Sequence, residues 1–217
     1  MAKKKVLQAR LIGHVFGDGS IHKRQQYFIY TNSTIELQKE VHQIVKKLYG
    51  NFALNIGKSI AGTPRYQYSN KIGKDLVRLG SPNGSKISQK IEIPEWIMNG
   101  EKEIQSAFLG ALFDDDGYFR NSKNSNQIVF KAARTSELKT NLIFYLNQIR
   151  DLLKFFDIAC SDVKSDQVKI RKDGKEITSL RFWIGKKEYF KKFYNNIRIN
   201  HPEKRLKLKS MFMAPTR

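Results

Sequence analysis

The chain has 217 residues, 40% of them hydrophobic and 12% aromatic, which is a globular composition and excludes a disordered tail. Lys and Arg number 40 against 20 Asp and Glu, a formal net charge of +20 that fits a polyanion partner better than a neutral one. No apolar run approaches the roughly 20 residues needed to span a bilayer, and the basic start "MAKKKVLQARL" lacks the apolar core of a secretory signal.

Residues 6–16 are predicted as a helix with Val6, Leu7, Leu11 and Val15 on one face, ended by Asp18-Gly19. Residues 20–32 read as a hairpin around Lys23–Gln26, whose second arm is rich in β-formers. The stretch 33–50 predicts a helix: Ser33 or Thr34 caps it, Leu37, Val41, Ile44, Val45 and Leu48 form its apolar stripe, and Gly50 stops it. Strand-like 51–57 and 63–69 follow, then a short helix over 72–80 and a turn-rich linker over 81–94. The order then begins again. Helix 103–115 is stopped by Gly117, 118–134 is a hairpin with a polar tip, and 135–156 is a long amphipathic helix. Strand-like 162–174 and 177–185 and helical 186–195 and 202–213 complete the chain.

This is an internal repeat with a period near 98 residues, the spacing of Asp18 and Asp116. Further on, "FIYTN" at 28–32 falls on "FKAAR" at 130–134 with an offset of about 102. The expected fold class is α+β, with two pseudo-two-fold-related αββαββα repeats: residues 1–99 (linker about 81–99) and residues 100–217.

The two motif helices, "LIGHVFGDG" (11–19) and "LGALFDDDG" (109–117), both end in Asp-Gly and both carry small residues part-way along, Gly13 and Gly110-Ala111. Small residues let helix backbones approach closely. Packed side by side, these helices would bring Asp18 and Asp116 together at their C-terminal ends, with Gly19 and Gly117 in the left-handed stop position. A helix C-terminus carries partial negative charge, so paired carboxylates there need a cation between them. Carboxylates with helix-end carbonyls offer the oxygen ligands that Mg²⁺ favours. One Asp-Gly helix stop is ordinary; two at equivalent places in a repeat, in so basic a chain, point to phosphodiester chemistry. Cys160 is the lone cysteine and, with four scattered histidines, makes neither a disulfide nor a zinc-ligand spacing.

These two motifs resemble those of a single-chain LAGLIDADG homing endonuclease, and the resemblance covers essentially the whole chain. It implies paired motif helices at the interface, antiparallel sheets forming a saddle on the major groove, and cleavage of a long asymmetric duplex across its minor groove. By position it makes Asp18 and Asp116 the metal-binding acids, with Gly17 and Asp115 contributing backbone carbonyls. Asn32, Arg134, Lys204 and Lys86 (or Lys90) become the polar and basic groups near the metals. Mg²⁺ is the expected cofactor, with Mn²⁺ substituting and Ca²⁺ binding without supporting cleavage. The first motif departs from the pattern at Phe16, where an acid is common, and at His14. Asp114 is read as the second motif's first acid, capping or packing the helix pair.

Strand alternation places Phe28 and Tyr30 on one face of the first hairpin, Tyr27, Ile29 and Thr31 on the other, and Lys131 opposite the core-facing Phe130 and Ala132. Candidate DNA-binding residues are His22, Arg24, Gln25, Tyr27, Arg65 and Gln67 in the first repeat. In the second they are Arg120, Asn121, Lys123, Gln127, Lys131, Lys169, Arg171, Arg181 and Trp183. The expected protein is a monomeric, intron-encoded nuclease; a start ten residues before its motif and no splicing domain argue against an intein. Its partners would be double-stranded DNA and its own intron RNA, with no membrane. It would sit in the cytoplasm (nucleoid-associated) of a prokaryote or in an organellar matrix. The alternatives are an intron RNA maturase, or a non-catalytic DNA-binding regulator on the same fold.

Overall fold

A computed structural model describes residues 2–122 and 125–213. Its described residues form two four-stranded antiparallel sheets, one from each repeat. The order is α1 (Ala2–Phe16), β1 (Gly19–Ile21), β2 (Phe28–Thr31), α2 (Ile35–Tyr49), β3 (Leu54–Lys58), β4 (Pro64–Tyr68) and α3 (Asn70–Arg78). After a 3₁₀ turn (Lys86–Ser88) come α4 (Glu95–Met98), α5 (Lys102–Asp116), β5 (Gly117–Ser122) and β6 (Ser125–Thr135). A second 3₁₀ turn (Ser136–Leu138) leads to α6 (Lys139–Lys154), β7 (Lys164–Ile170), β8 (Glu176–Ile184), α7 (Lys187–Asn196) and α8 (Pro202–Met213). No described helix is long and apolar enough to cross a membrane.

The chain divides into two compact units, Met1–Ser85 with Pro94–Asp115, and Lys86–Ile93 with Asp116–Arg217. This division differs from the repeat boundary at 99/100 for two local reasons. α5 packs on α1, where a Cβ on Gly13 would stand 2.7 Å from the Ala111 Cβ. The linker piece 86–93 is tied to α6 by Ile91 N–H to Asn141 Oδ1 at 2.8 Å and Ile93 N–H to Gln148 Oε1 at 2.9 Å.

In the first unit, α1 is buried on every side from Ala9 to Phe16. It is a core helix, and its single predicted apolar face understates that burial. α2 follows its predicted stripe, burying Leu37, Val41, Ile44 and Val45, and Gly50 ends it at φ +70. Thr34, one of the two residues predicted, is its N-cap, without a side-chain cap hydrogen bond; the Asn32 carboxamide accepts the Thr34 N–H at 2.7 Å.

Gly19 and Gly117 are not left-handed stops. They are the first residues of β1 and β5, paired with Tyr30 and Phe130; β5 follows α5 directly, and β1 follows α1 after the two-residue turn Gly17-Asp18. Space is what Gly19 supplies: a Cβ would stand 2.7 Å from the His14 carbonyl oxygen and 2.8 Å from Val15 Cα.

The strand order is β1-β2-β4-β3 in the first unit and β5-β6-β8-β7 in the second. Phe28 and Tyr30 face the first core, and Ile128 and Phe130 the second, as the alternation predicts. α6 covers the second sheet with Leu142, Tyr145, Leu146, Ile149, Leu152 and Leu153, each large apolar side chain contributing about 1.5–3 kcal/mol by leaving water.

Candidate functional site

In the first unit a polar cluster is built into the apolar end of α1. Arg10 makes a bidentate contact with Glu40 of α2, Nε to Oε1 at 2.8 Å and Nη2 to Oε2 at 2.9 Å, and also pairs with Asp114 of α5. One helical turn on, His14 is fully buried with Nδ1 3.1 Å from Asp115 Oδ2. Burial alone would lower the His14 pKa; the adjacent Asp115 charge and hydrogen bond reverse this and raise it to about 9. Glu40 is held below the usual carboxylate range: burial opposes ionisation, but His14 and Arg10 outweigh it.

The Asp115 side chain is wholly buried and accepts three contacts. Tyr30 Oη donates to its Oδ1 at 2.7 Å, the Asp18 N–H donates to its Oδ2 at 3.2 Å, and His14 meets the same Oδ2. Burial, followed by the Asp115 charge, raises the Tyr30 pKa and keeps its hydroxyl a donor.

Asp18 itself is exposed, immediately past the end of α1. Asn32, at the end of β2, donates from Nδ2 to Asp18 Oδ2 at 2.7 Å and to Tyr30 Oη at 3.2 Å. Gly17 is hemmed in by Asp115, whose Oδ2 would stand 2.5 Å from any Cβ there.

The second unit holds the equivalent acid, Asp116, also exposed, at the last position of α5. Arg134, the counterpart of Asn32, is buried, lies 5.6 Å from the Tyr145 ring centroid and donates from Nη1 to the Ala133 carbonyl. Burial lowers its pKa, and the charges of Tyr145 and Asp116 oppose that shift. Lys204 sits in the first turn of α8, and Lys86 opens the 3₁₀ turn that packs on β6. Lys90 is exposed between that turn and α4.

On the first sheet, Arg65 and Gln67 of β4 register with Thr31 and Ile29 on the outward face. His22 and Tyr27 stack at 4.7 Å beside the turn carrying Arg24 and Gln25. On the second sheet, Arg120 pairs with Gln127, and Lys131 with Arg181, on one outward face. Both Lys131 and Arg181 bind Asp166 of β7, at 2.5 and 3.2 Å, which shares its charge between them. Lys164 lies 5.2 Å over the Trp183 ring. Lys169 is exposed on β7, and Arg171, just beyond it, meets Asp173 at 3.5 Å. Asn121 donates to Ser210 Oγ of α8 at 2.7 Å. Lys123 lies outside the described residues.

The sequence reading missed Arg10, Glu40 and Tyr30 as members of the site. The signal for them was a polar pair one turn apart, Arg10 and His14, inside an otherwise apolar helix. Among the described residues no group of three or more His, Cys, Asp or Glu is arranged to hold a metal alone.

No family model matches the chain. Similar stretches occur in the replication factor C small subunit of Methanocaldococcus jannaschii (27% identity over 204 residues, 87% of this chain and 11% of that protein) and in the tRNA-splicing ligase RtcB of Pyrococcus abyssi (26% over 217 residues, 92% and 23%). Another lies in the ribonucleoside-diphosphate reductase NrdEB subunit alpha of Bacillus subtilis (30% over 121 residues, 50% and 11%). The chain thus spans less than a quarter of the length of each of these relatives.

Among solved structures, the homing endonuclease I-DmoI in complex with DNA and Ca superposes with a TM-score of 0.60 at 14% identity, over 89% of this chain and 90% of that one. The N-terminal LAGLIDADG domain of DUF199/WhiA gives 0.56 at 12% identity, over 92% and 86%. The chain has the LAGLIDADG fold. Within this fold, Asp18 and Asp116 end the two motif helices, and the outward strand faces carry the basic and amide side chains.

Proposed function

We propose that this LAGLIDADG-fold chain is a site-specific double-strand DNA endonuclease, hydrolysing phosphodiesters across the minor groove of a long asymmetric target. One observation carries the reading. Asp18 and Asp116 are exposed at the ends of helices otherwise buried through their motifs; Asp18 accepts a hydrogen bond from Asn32, and Asp116 acts electrostatically on Arg134, the residue at the equivalent strand end. A site designed only for packing would not leave the acids in solvent and bury the rest. Structures of I-DmoI with DNA and Ca or Mn, on the same fold, support the substrate class.

The donor set fits a hard divalent cation. Mg²⁺ is commonly held by one or two carboxylates, with water and substrate phosphate completing its shell, so no larger acidic cluster is required. Asp18 with the Gly17 carbonyl, and Asp116 with the Asp115 carbonyl, are each assigned to divalent metal; Mn²⁺ would substitute, and Ca²⁺ would bind without cleavage. When bound, the ion activates water and neutralises charge on the phosphate. Asn32 orients the Asp18 carboxylate, and Arg134 supplies positive charge beside Asp116. Lys204 and Lys86 are assigned to the phosphate. The outward faces of the two sheets would bind the duplex, Arg65, Gln67, Arg120 and Gln127 reading base edges and the lysines positioning the backbone.

The repeats, 1–99 and 100–217, are read as two half-site modules of a monomer. Matching stretches fill only 11–23% of proteins as unlike as a replication factor subunit, a ligase and a reductase. That pattern supports a mobile module; the reading of this one as intron-encoded, with its intron RNA as a further partner, rests on the motif resemblance and not on those matches, which lie within protein chains.

The test is selection of cleaved sites from a random duplex library with Mg²⁺, followed by D18N and D116N on the selected site. Each variant should bind DNA nearly as the parent does and lose double-strand cleavage. Cleavage by both at the parental rate overturns the proposal. Tight intron-RNA binding with no DNA cleavage by the parent would also overturn it, in favour of a maturase.

A further inference from the structure

We propose that Asp115, from the second motif, is the positioning residue for Asp18, the acid of the first. Asp18 is held at both its ends by one closed ring of hydrogen bonds. Its N–H donates to Asp115 Oδ2 at 3.2 Å; Asp115 Oδ1 accepts Tyr30 Oη at 2.7 Å; Tyr30 Oη accepts Asn32 Nδ2 at 3.2 Å; and Asn32 Nδ2 donates to Asp18 Oδ2 at 2.7 Å. Asn32 is pinned in turn by the Thr34 N–H at 2.7 Å, and Tyr30 by its strand.

The ring depends on two residues of the first motif, Gly17 and His14. Gly17 leaves room for the Asp115 carboxylate against the α1 backbone. His14 faces that carboxylate at 3.1 Å and supplies a third donor to the fully buried Asp115 side chain. A buried carboxylate without such partners would not be tolerated. Asp115 lies in the same compact unit as Asp18. Its main-chain carbonyl, assigned above to the metal, is kept in every side-chain variant; its carboxylate acts through the Asp18 main chain. Locking an exposed acid into one geometry is how a supporting residue serves catalysis, since a misplacement of about 1 Å can cost about 10²-fold in rate. The rate effect rests on the nuclease reading, whereas the effect on Asp18 itself does not.

The experiment follows the Asp18 backbone amide by ¹⁵N–¹H NMR and hydrogen exchange in the full chain, in parallel with kcat and DNA Kd. The variants are D115A, D115N and Y30F. D115A should shift the Asp18 amide, speed its exchange, and lower kcat by about 10²-fold while Kd for the target stays unchanged. D115N retains an oxygen for the Asp18 N–H and can donate its NH₂ to Tyr30 Oη, so it should recover most of that loss. Y30F, which removes one hydroxyl, carries the same test if D115A fails to fold. An unmoved Asp18 amide in D115A and Y30F overturns the inference, as does equal loss of kcat in D115A and D115N. If the parent cuts no DNA, the nuclease reading fails and the amide response alone decides the positioning role.

Discussion

Gly17 and Asp115 occupy equivalent places in the two motifs and lie against each other, with Asp115 Oδ2 where a Gly17 side chain would begin. Gly13 and Ala111, also equivalent, meet in the same way. Contact between equivalent positions is the signature of a two-fold relation between α1 and α5. The side chains break that symmetry. Arg10 pairs with Asp114 on one side, and their counterparts Phe108 and Phe16 meet edge-to-face at 5.5 Å on the other. Phe16, where an acid is common, is thus the aromatic half of a matched pair of contacts.

Gly17 carries no left-handed φ, so alanine would be acceptable to the backbone and is excluded only by Asp115. G17A should cost about 1–3 kcal/mol, the range for overpacking a tight contact. The double variant G17A/D115A removes the clash and should be more stable than the two separate losses imply. Urea unfolding of the four proteins measures this coupling; strict additivity would count against the contact.

Arg10 is buried between Glu40 and Asp114, and removing it takes the guanidinium from both carboxylates while Glu40 keeps His14 at 3.7 Å. R10M should therefore destabilise by about 3–5 kcal/mol, as breaking a buried ion pair does. F16L, on the aromatic side, strands no charge and should cost less, within the usual range for conservative apolar swaps of below about 1.5 kcal/mol. Denaturant midpoints at constant slope give the comparison. A similar loss in both variants would mean that the ionic contact is not distinguished by its burial.

The same cluster limits the pH range of stability. His14 has a folded pKa raised from 6.5 to about 9, so its contribution is complete below 6.5 and lost as pH rises through 9. Glu40 has a lowered folded pKa, so its contribution is present above 4.5 and lost as pH falls. Melting temperature should fall on both sides of this window, and H14Q should remove the alkaline fall selectively. A parental melting temperature that stays level from about pH 7 to 10 would contradict a protonated His14.

Periodicity and alternation revealed the repeat, the strand faces and both helix-end acids, because these follow from local spacing. The ionic cluster was hidden because its partners come from elements far apart: Glu40 is 30 residues from Arg10, and Asp114 is 104. Arg10 and His14 in an apolar helix were visible, but nothing local says which carboxylates will reach them. The turn that Asn32 makes with the Thr34 N–H was hidden for a related reason: Asn32 lies before α2 and also serves Asp18. Gly19 misled because Asp-Gly is a good stop signal, whereas here the glycine meets a requirement for space.

Asp166 tests the strand face as a DNA surface. It neutralises part of the charge of Lys131 and Arg181 on the outward side of β6 and β8, and those cations hold its pKa below the usual carboxylate value. If that face binds phosphates, affinity of the parent should fall by about 10³–10⁵ between about 50 and 200 mM salt, for roughly 6–10 neutralised phosphates. R181A should lower the slope of log K against log salt by about one if Arg181 meets a phosphate. If Arg181 reads a base, it should instead relax preference at one position, by about 1–3 kcal/mol. D166N leaves both cations free for the duplex and should tighten binding, most strongly at low salt, where exposed charges are least screened. Fluorescence anisotropy on a labelled duplex resolves all three proteins. A flat salt response, or D166N binding more weakly than the parent, would remove this sheet face from the DNA interface.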